Sequence, residues 1–139
     1  MASLLRHIDP CATVIPTTVT IHDRQIPVRA SGDGVLWFSF KSLCEGPRSK
    51  ADYVEISRIC HTLLISEIPC LDNEHDDAAR RFVELIDELY DRRVNVIVSA
   101  ATQPDGLYRG QRLARGFARA TSRLNEFQSA DYLASAHRP

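Results

Sequence analysis

Lysine and glycine are both scarce in this chain of 139 residues: Lys41 and Lys50 are its only lysines, and neither follows one of its six glycines. A phosphate-binding loop of the form G-x-x-x-x-G-K-[ST] needs glycine amides to cradle the phosphates, a lysine to neutralise them and a hydroxyl for magnesium. Lys41-Ser42 follows Phe40 inside an apolar turn, so no such loop exists here. A G-x-S-x-G elbow is also missing, and independent hydrolase chemistry is not expected. The cysteines Cys11, Cys44, Cys60 and Cys70 form no C-x-x-C pair, so they read as reduced, buried thiols. His61 lies beside Cys60, but no further closely spaced ligands complete a metal set. No apolar run approaches the roughly 18 residues that span a bilayer. Arg6, Asp9 and Pro10 interrupt Leu4, Leu5 and Ile8, which removes a signal-peptide core and points to a cytosolic protein. The formal net charge of −1 gives no global pull towards nucleic acid or acidic membranes.

What is present reads as α/β. The length matches one domain, 1–139, which would bury roughly two-thirds of its unfolded surface. Residues 17–21 alternate and are β-branched, Ile26 and Val28 alternate after a polar turn at 22–25, and residues 35–38 follow a Ser-Gly-Asp-Gly turn at 31–34. Two or three antiparallel strands are therefore expected in a β-rich lead-in, 1–34, and just beyond it. Phe40, Leu43 and Cys44 mark one helical turn that stops at Gly46-Pro47. Ser49 and Asp52 have the spacing of a capping box, opening a helix with Tyr53, Ile56 and Ile59 on its apolar side.

Residues 61–66 form an unbroken apolar run too short for an amphipathic helix, and they read as a buried strand opened by His61, an imidazole expected to be a satisfied core group. Asp72, Asn73, Asp76 and Asp77 crowd the start of the next helix, where the positive end of the dipole favours acids. Ala79, Phe82, Val83, Ile86, Leu89 and Tyr90 recur on its inner face. Residues 94–99 return as a second buried strand. Strand, helix and strand with apolar strands is the pattern of a parallel sheet. A turn at 102–106 leads to a last helix whose Phe117, Ala120, Thr121, Leu124 and Phe127 share a face.

Charge is segregated in the second half. The helix from Asp76 to Asp91 is mostly acidic outside, while Arg109, Arg112, Arg115, Arg119 and Arg123 follow in the tail. Arg115, Arg119 and Arg123 are four apart and stack on one face if the helix starts that early, a ridge costing a few tenths of a kcal/mol per pair unless offset. Internal pairing with Glu126 and other acids would offset it; so would a phosphate or an acidic partner, because guanidinium forks bind such groups bidentately. Without interleaved aromatics the stripe is a weak nucleic-acid signal. Glu67 ends an apolar strand, where a metal-polarising acid would sit, but Ile68-Pro69 follows and no phosphate cradle faces it, which makes it structural.

Phe117-Ala-Arg-Ala-Thr-Ser-Arg-Leu-Asn-Glu-Phe-Gln-Ser-Ala-Asp-Tyr-Leu133 resembles the closing F-x-R-x-x-S-R-L-x-E-M-Q-S-x-x-Y-L of the ZapE / AFG family of P-loop, AAA-like ATPases, with Phe127 in place of Met. Blocks at 38–44, at 52–69 and at 79–100 agree in order, so the family-like region covers roughly residues 35–133. The resemblance implies a partial P-loop architecture: the β-hairpin region, helices and a strand-helix-strand parallel unit, then a helical tail. It implies ATP and magnesium for the intact ATPase and none for this chain, whose Walker motifs are missing. It also implies a regulatory or partner-contacting role for a C-terminal portion, with the missing N-terminal ATPase half, homologous subunits or division-ring proteins as partners. A family member of this kind would act in the cytoplasm, at the division site or the inner face of the membrane. The alternative is a stand-alone interaction module without nucleotide chemistry. Residues 63–108 also look like the family's own Walker B to sensor region, ending in Leu107-Tyr108, an architectural echo. Arg119 and Arg123 are the residues that would reach nucleotide phosphate or a partner in the intact ATPase, with Arg80 and Arg81 next; pairing of Arg80 and Arg81 with Glu84 is the simpler expectation.

Overall fold

In the computed structural model, which describes residues 14–133, the chain opens with a hairpin, β1 (Thr17–Ile21) and β2 (Arg24–Val28). Its two-residue turn places His22 and Asp23 at φ 49 and 65, the left-handed pair that matches strand twist in a tight hairpin. Strand β2 therefore begins at Arg24, earlier than the alternation of Ile26 and Val28 indicates. The anticipated turn at 31–34 is shorter too: Ala30–Gly32 forms a strand, β3, antiparallel to β4 (Val35–Ser39). The reversal fits because Gly34 takes φ +73, and a Cβ there would collide with the His61 ring.

Past Ser39, whose side chain accepts from the Ser42 N–H, a short helix α1 (Phe40–Cys44) buries Phe40, Leu43 and Cys44. Helix α2 (Lys50–Ile59) starts as its capping box predicts, with the Asp52 carboxylate accepting from the Ser49 N–H at 2.9 Å. Tyr53 and Ile56 are buried, whereas Ile59 is 46% exposed. Strand β5 (Thr62–Ile68) follows. The exposed Asp72 caps a 3-10 turn (Asn73–His75) by accepting from the Glu74 N–H, which holds its carboxyl below the usual range. Helix α3 (Asp76–Asp91) turns Phe82, Leu85, Ile86 and Leu89 inward. Strand β6 (Asn95–Ala100), a 3-10 turn (Pro104–Gly106), helix α4 (Ala114–Glu126) and a short helix α5 (Ala130–Leu133) complete the order. The architecture is α/β, in agreement with a partial P-loop-like fold.

The main sheet has order β3-β4-β5-β6, with β4, β5 and β6 parallel. Alternation along each strand divides its side chains between two faces. Leu36, Phe38, Leu63 and Ile65 point to the core shared with α1 to α4, and Ala30, Val35, Trp37 and Leu64 form a smaller cluster on the other side with Val14 and Ile97. The hairpin adds Ile21, Ile26 and Val28 to the larger core. Strand β6 corrects one expectation. It is a half-exposed edge strand and not a buried one, because among the described residues nothing pairs with its outer side.

Candidate functional site

The four arginines singled out by sequence sit on two neighbouring helices. Because α4 begins at Ala114, Arg115, Arg119 and Arg123 do share one helix, as their spacing requires. Of the acids expected to offset them, Asp87 on α3 takes Arg119 and Arg123, and Glu126 takes none. Arg119 Nη2 donates to Asp87 Oδ2 at 3.1 Å, and Arg123 Nη1 donates to Asp87 Oδ1. Glu126 instead accepts from the Tyr90 hydroxyl at 2.9 Å. Arg123 also lies over the Tyr90 ring, 4.7 Å from its centroid, and keeps only 22% of its side chain exposed, against 58% for Arg119. Arg123 is thus a packed residue, and Arg119 a solvated one held by a single contact.

Neither Arg80 nor Arg81 pairs with Glu84. Arg80 meets Asp77 at 3.5 Å, one turn earlier on its own helix, and Arg81 reaches across to donate to the Cys44 carbonyl at 3.2 Å. That bond ties α3 to the end of α1. Arg109, Arg112 and Arg115 are exposed, and none of them has an ion-pair partner among the described residues.

Between α3 and α4 the arginines border a cleft of about 260 Å³ lined by Lys50, Arg119 and Arg123 together with Glu84, Asp87, Glu88 and Asp91. Four carboxylates against three cations make this cleft unfavourable for a polyphosphate, since desolvating like charges beside it opposes binding. Together with the absence of a glycine cradle, these residues do not fit a nucleotide triphosphate. Sequence reasoning named the arginines and the acidic outer face of α3 that carries Asp87, but not which of its acids would pair with them.

Glu67 occupies the carboxyl end of β5, where a register shift interrupts its pairing with β6 and Glu67 itself takes φ 62. Its carboxylate accepts from Arg29 Nη2 at 2.8 Å, and its N–H donates to Ser99 Oγ at 3.2 Å. Beneath it Trp37 Nε1 donates to Ser66 Oγ at 2.9 Å, and Arg29 lies over the indole, 6.0 Å from its centroid. Residues of β4, β5 and β6 thereby meet at the strand ends, where the Glu67 carboxylate makes a mostly exposed ion pair with Arg29. His61 differs from expectation: it is exposed, with Nδ1 2.8 Å from Thr62 Oγ1 and Nε2 3.1 Å from the Asp33 carbonyl. Among the described residues no group of three or more His, Cys, Asp or Glu could hold a metal ion. Nor is any described helix long and apolar enough to cross a membrane.

Leu71 N donates to the Leu107 carbonyl at 2.7 Å and Arg109 N to the Leu71 carbonyl at 2.6 Å, so the segment after β6 returns beside the segment after β5. Tyr108 then fixes the entry to α4: its hydroxyl donates to Asp76 at 3.0 Å and accepts from the Leu113 N–H at 3.1 Å.

No solved structure matches the chain. The cell division protein ZapE of Escherichia coli (strain K12) is 38% identical over 120 residues, covering 86% of this chain and 32% of that protein. Lactation elevated protein 1 homolog B of Danio rerio is 35% identical over 92 residues, 66% of this chain and 18% of its own length. An uncharacterized protein of Schizosaccharomyces pombe is 36% identical over 90 residues, 65% of this chain and 20% of that protein. The chain thus spans about a third of the length of the first of these relatives. The AFG1-like ATPase family model matches residues 1–136, and the chain belongs to that family.

Proposed function

We propose that this chain supplies the partner-contacting, carboxy-terminal part of an AFG1-like ATPase and holds no nucleotide by itself. The observation that carries the reading is the pairing of family membership with a sequence whose two lysines follow Phe40 and Ser49, leaving no glycine-lysine cradle. The relatives' greater length leaves room for that cradle outside the matched region. ATP and magnesium would then belong to the remainder of the assembled ATPase. The remaining ATPase half or homologous subunits are the partners, and the name of the bacterial relative supports division-ring proteins and a cytoplasmic, division-site location.

Of the candidate arginines, Arg119 is best placed to act on phosphate charge in such an assembly, being exposed and held only through Asp87. Arg123 joins α4 to α3, Arg81 joins α3 to α1, and Arg80 meets only Asp77 on its own helix. The reading is tested by titrating the purified full chain with ATP and magnesium in a calorimeter. The expected result is no saturable heat; saturable binding in the micromolar range would overturn it.

A second reading, a stand-alone interaction module, is favoured by the closed apolar core, in which Phe38, Leu63, Phe82 and Ile86 are wholly buried without any other chain. A frame encoding a P-loop immediately upstream of Met1 would decide for the first reading. A stable natively folded monomer with no such frame nearby would decide for the second.

A further inference from the structure

Among the described residues, the outer edge of β6 is lined by a groove without a charged side chain. Three adjoining hollows of about 220, 420 and 510 Å³ follow the strand, running from Thr62 and Asn95 at one end to Gln103 and Pro104 at the other. Val96, Ile97 and Val98 form the floor, and Leu133 forms the wall above Leu124 and Phe127, which are themselves buried in the core. In a chain with 25% charged residues, a lining this long without one is a distinct surface. Leu133, 54% exposed, is one of the few large hydrophobic side chains left in solvent among the described residues.

The backbone decides what fits there. Asn95 N donates to the His61 carbonyl and Ala101 N to the Ile68 carbonyl, so the odd-numbered residues of this stretch face β5. Alternation then turns the N–H and C=O groups of Val96, Val98 and Ala100 outward into the groove. Edge strands are usually blunted by lysine, proline or an inward charge, because free ladder groups recruit another strand; residues 95–100 carry none of these.

We propose that this groove binds an extended peptide segment of a partner protein, which adds a fifth strand along β6 and seats uncharged aliphatic side chains, at alternate positions, against Val96, Val98 and Leu133. Main-chain bonds supply the affinity and the apolar wall supplies the selectivity, as in other cases of strand addition. The absence of charge from the lining selects against acidic or basic segments, whose desolvation nothing here would offset. The inference deepens the partner-contacting reading and rests on it; nucleotide calorimetry tests that reading separately, so one can fail without the other.

The test uses the full chain, labelled for amide NMR and hydrogen exchange, and a capped synthetic peptide of alternating valine and threonine flanked by single lysines. In the free protein the amides of Val96, Val98 and Ala100 should exchange faster than those of Ile97 and Ser99. Adding the peptide should give saturable shifts at the three outward amides and slow their exchange by about tenfold or more. Leu133→Glu, at an exposed position where the fold is not at stake, should weaken binding by about tenfold. Val98→Pro, which removes one outward donor, should abolish it, with the shifts of distant core residues reporting whether the fold is kept. Three results would overturn the proposal: outward amides already protected in the free chain, whether by its own residues or by a second copy visible in sedimentation; shifts scattered away from β6; or a Leu133→Glu protein that binds the peptide as the parent does.

Discussion

The cysteines show how far single residues follow from composition. Cys44 and Cys60 are buried as their apolar neighbours suggest, Cys70 is partly exposed, and Cys11 lies outside the described residues. Burial pushes the Cys60 thiol up to about 12, and it drives Cys44 higher still despite a hydrogen bond with Tyr53. A thiol whose folded value exceeds its unfolded value of about 8.5 stays neutral in the native state. Its contribution to stability is therefore intact below that pH and declines above it, as the unfolded chain gains thiolates that the folded chain refuses. At pH 8 under native conditions, iodoacetamide should modify Cys70 and leave Cys44 and Cys60 unlabelled in peptide mapping, and all three should react in urea. Native labelling of Cys60 at a rate near that of Cys70 would show that the burial is wrong.

Among elements, those with local signals were legible and those set by partners were not. The capping box of α2, the acidic start and apolar stripe of α3 and the apolar face of α4 all form where sequence placed them, because each depends on residues three or four apart. Strand β3 escaped notice because Ala-Ser-Gly has no β-branched pattern and is held by pairing with β4 alone. The edge position of β6 was equally hidden, since an apolar run does not reveal how many neighbours a strand has. The arginine ridge was legible as a charge conflict, but its resolution needed tertiary geometry: Asp87 lies 32 residues from Arg119 in sequence. That geometry separates two arginines of identical chemistry. Arg123→Gln loses a partly shielded ion pair and the stack on Tyr90, and should cost about 1–2 kcal/mol. Arg119→Gln loses an exposed contact worth about 0.5 kcal/mol or less. Urea denaturation of the two variants checks the difference; equal losses would mean that the Tyr90 stack contributes nothing.

For the whole molecule the question is whether the hairpin at the start and the sheet that follows behave as one unit, as the single-domain reading of 1–139 proposes. The two sheets share no ladder, so their coupling must come from side chains. Ile21, Ile26 and Val28 enter the main core, and Arg24 reaches from β2 to α2, where both its contacts with the wholly buried Asp52 carboxylate are short, 2.8 and 2.7 Å. The same carboxylate caps α2, so one buried charge serves both the hairpin and the helix. Replacing the cation strands that charge, a change that costs about 3–5 kcal/mol in a fully buried pair. Arg24 is itself 42% exposed, so water takes up part of the loss and about 2 kcal/mol is expected for Arg24→Met. If the hairpin and sheet are one cooperative unit, the loss should appear as a single shifted transition, with Trp37 fluorescence in the sheet and far-ultraviolet dichroism of the helices moving together in urea. A variant whose Trp37 transition stays at the parental midpoint while the dichroism acquires an earlier step would show that the hairpin and α2 unfold apart from the sheet.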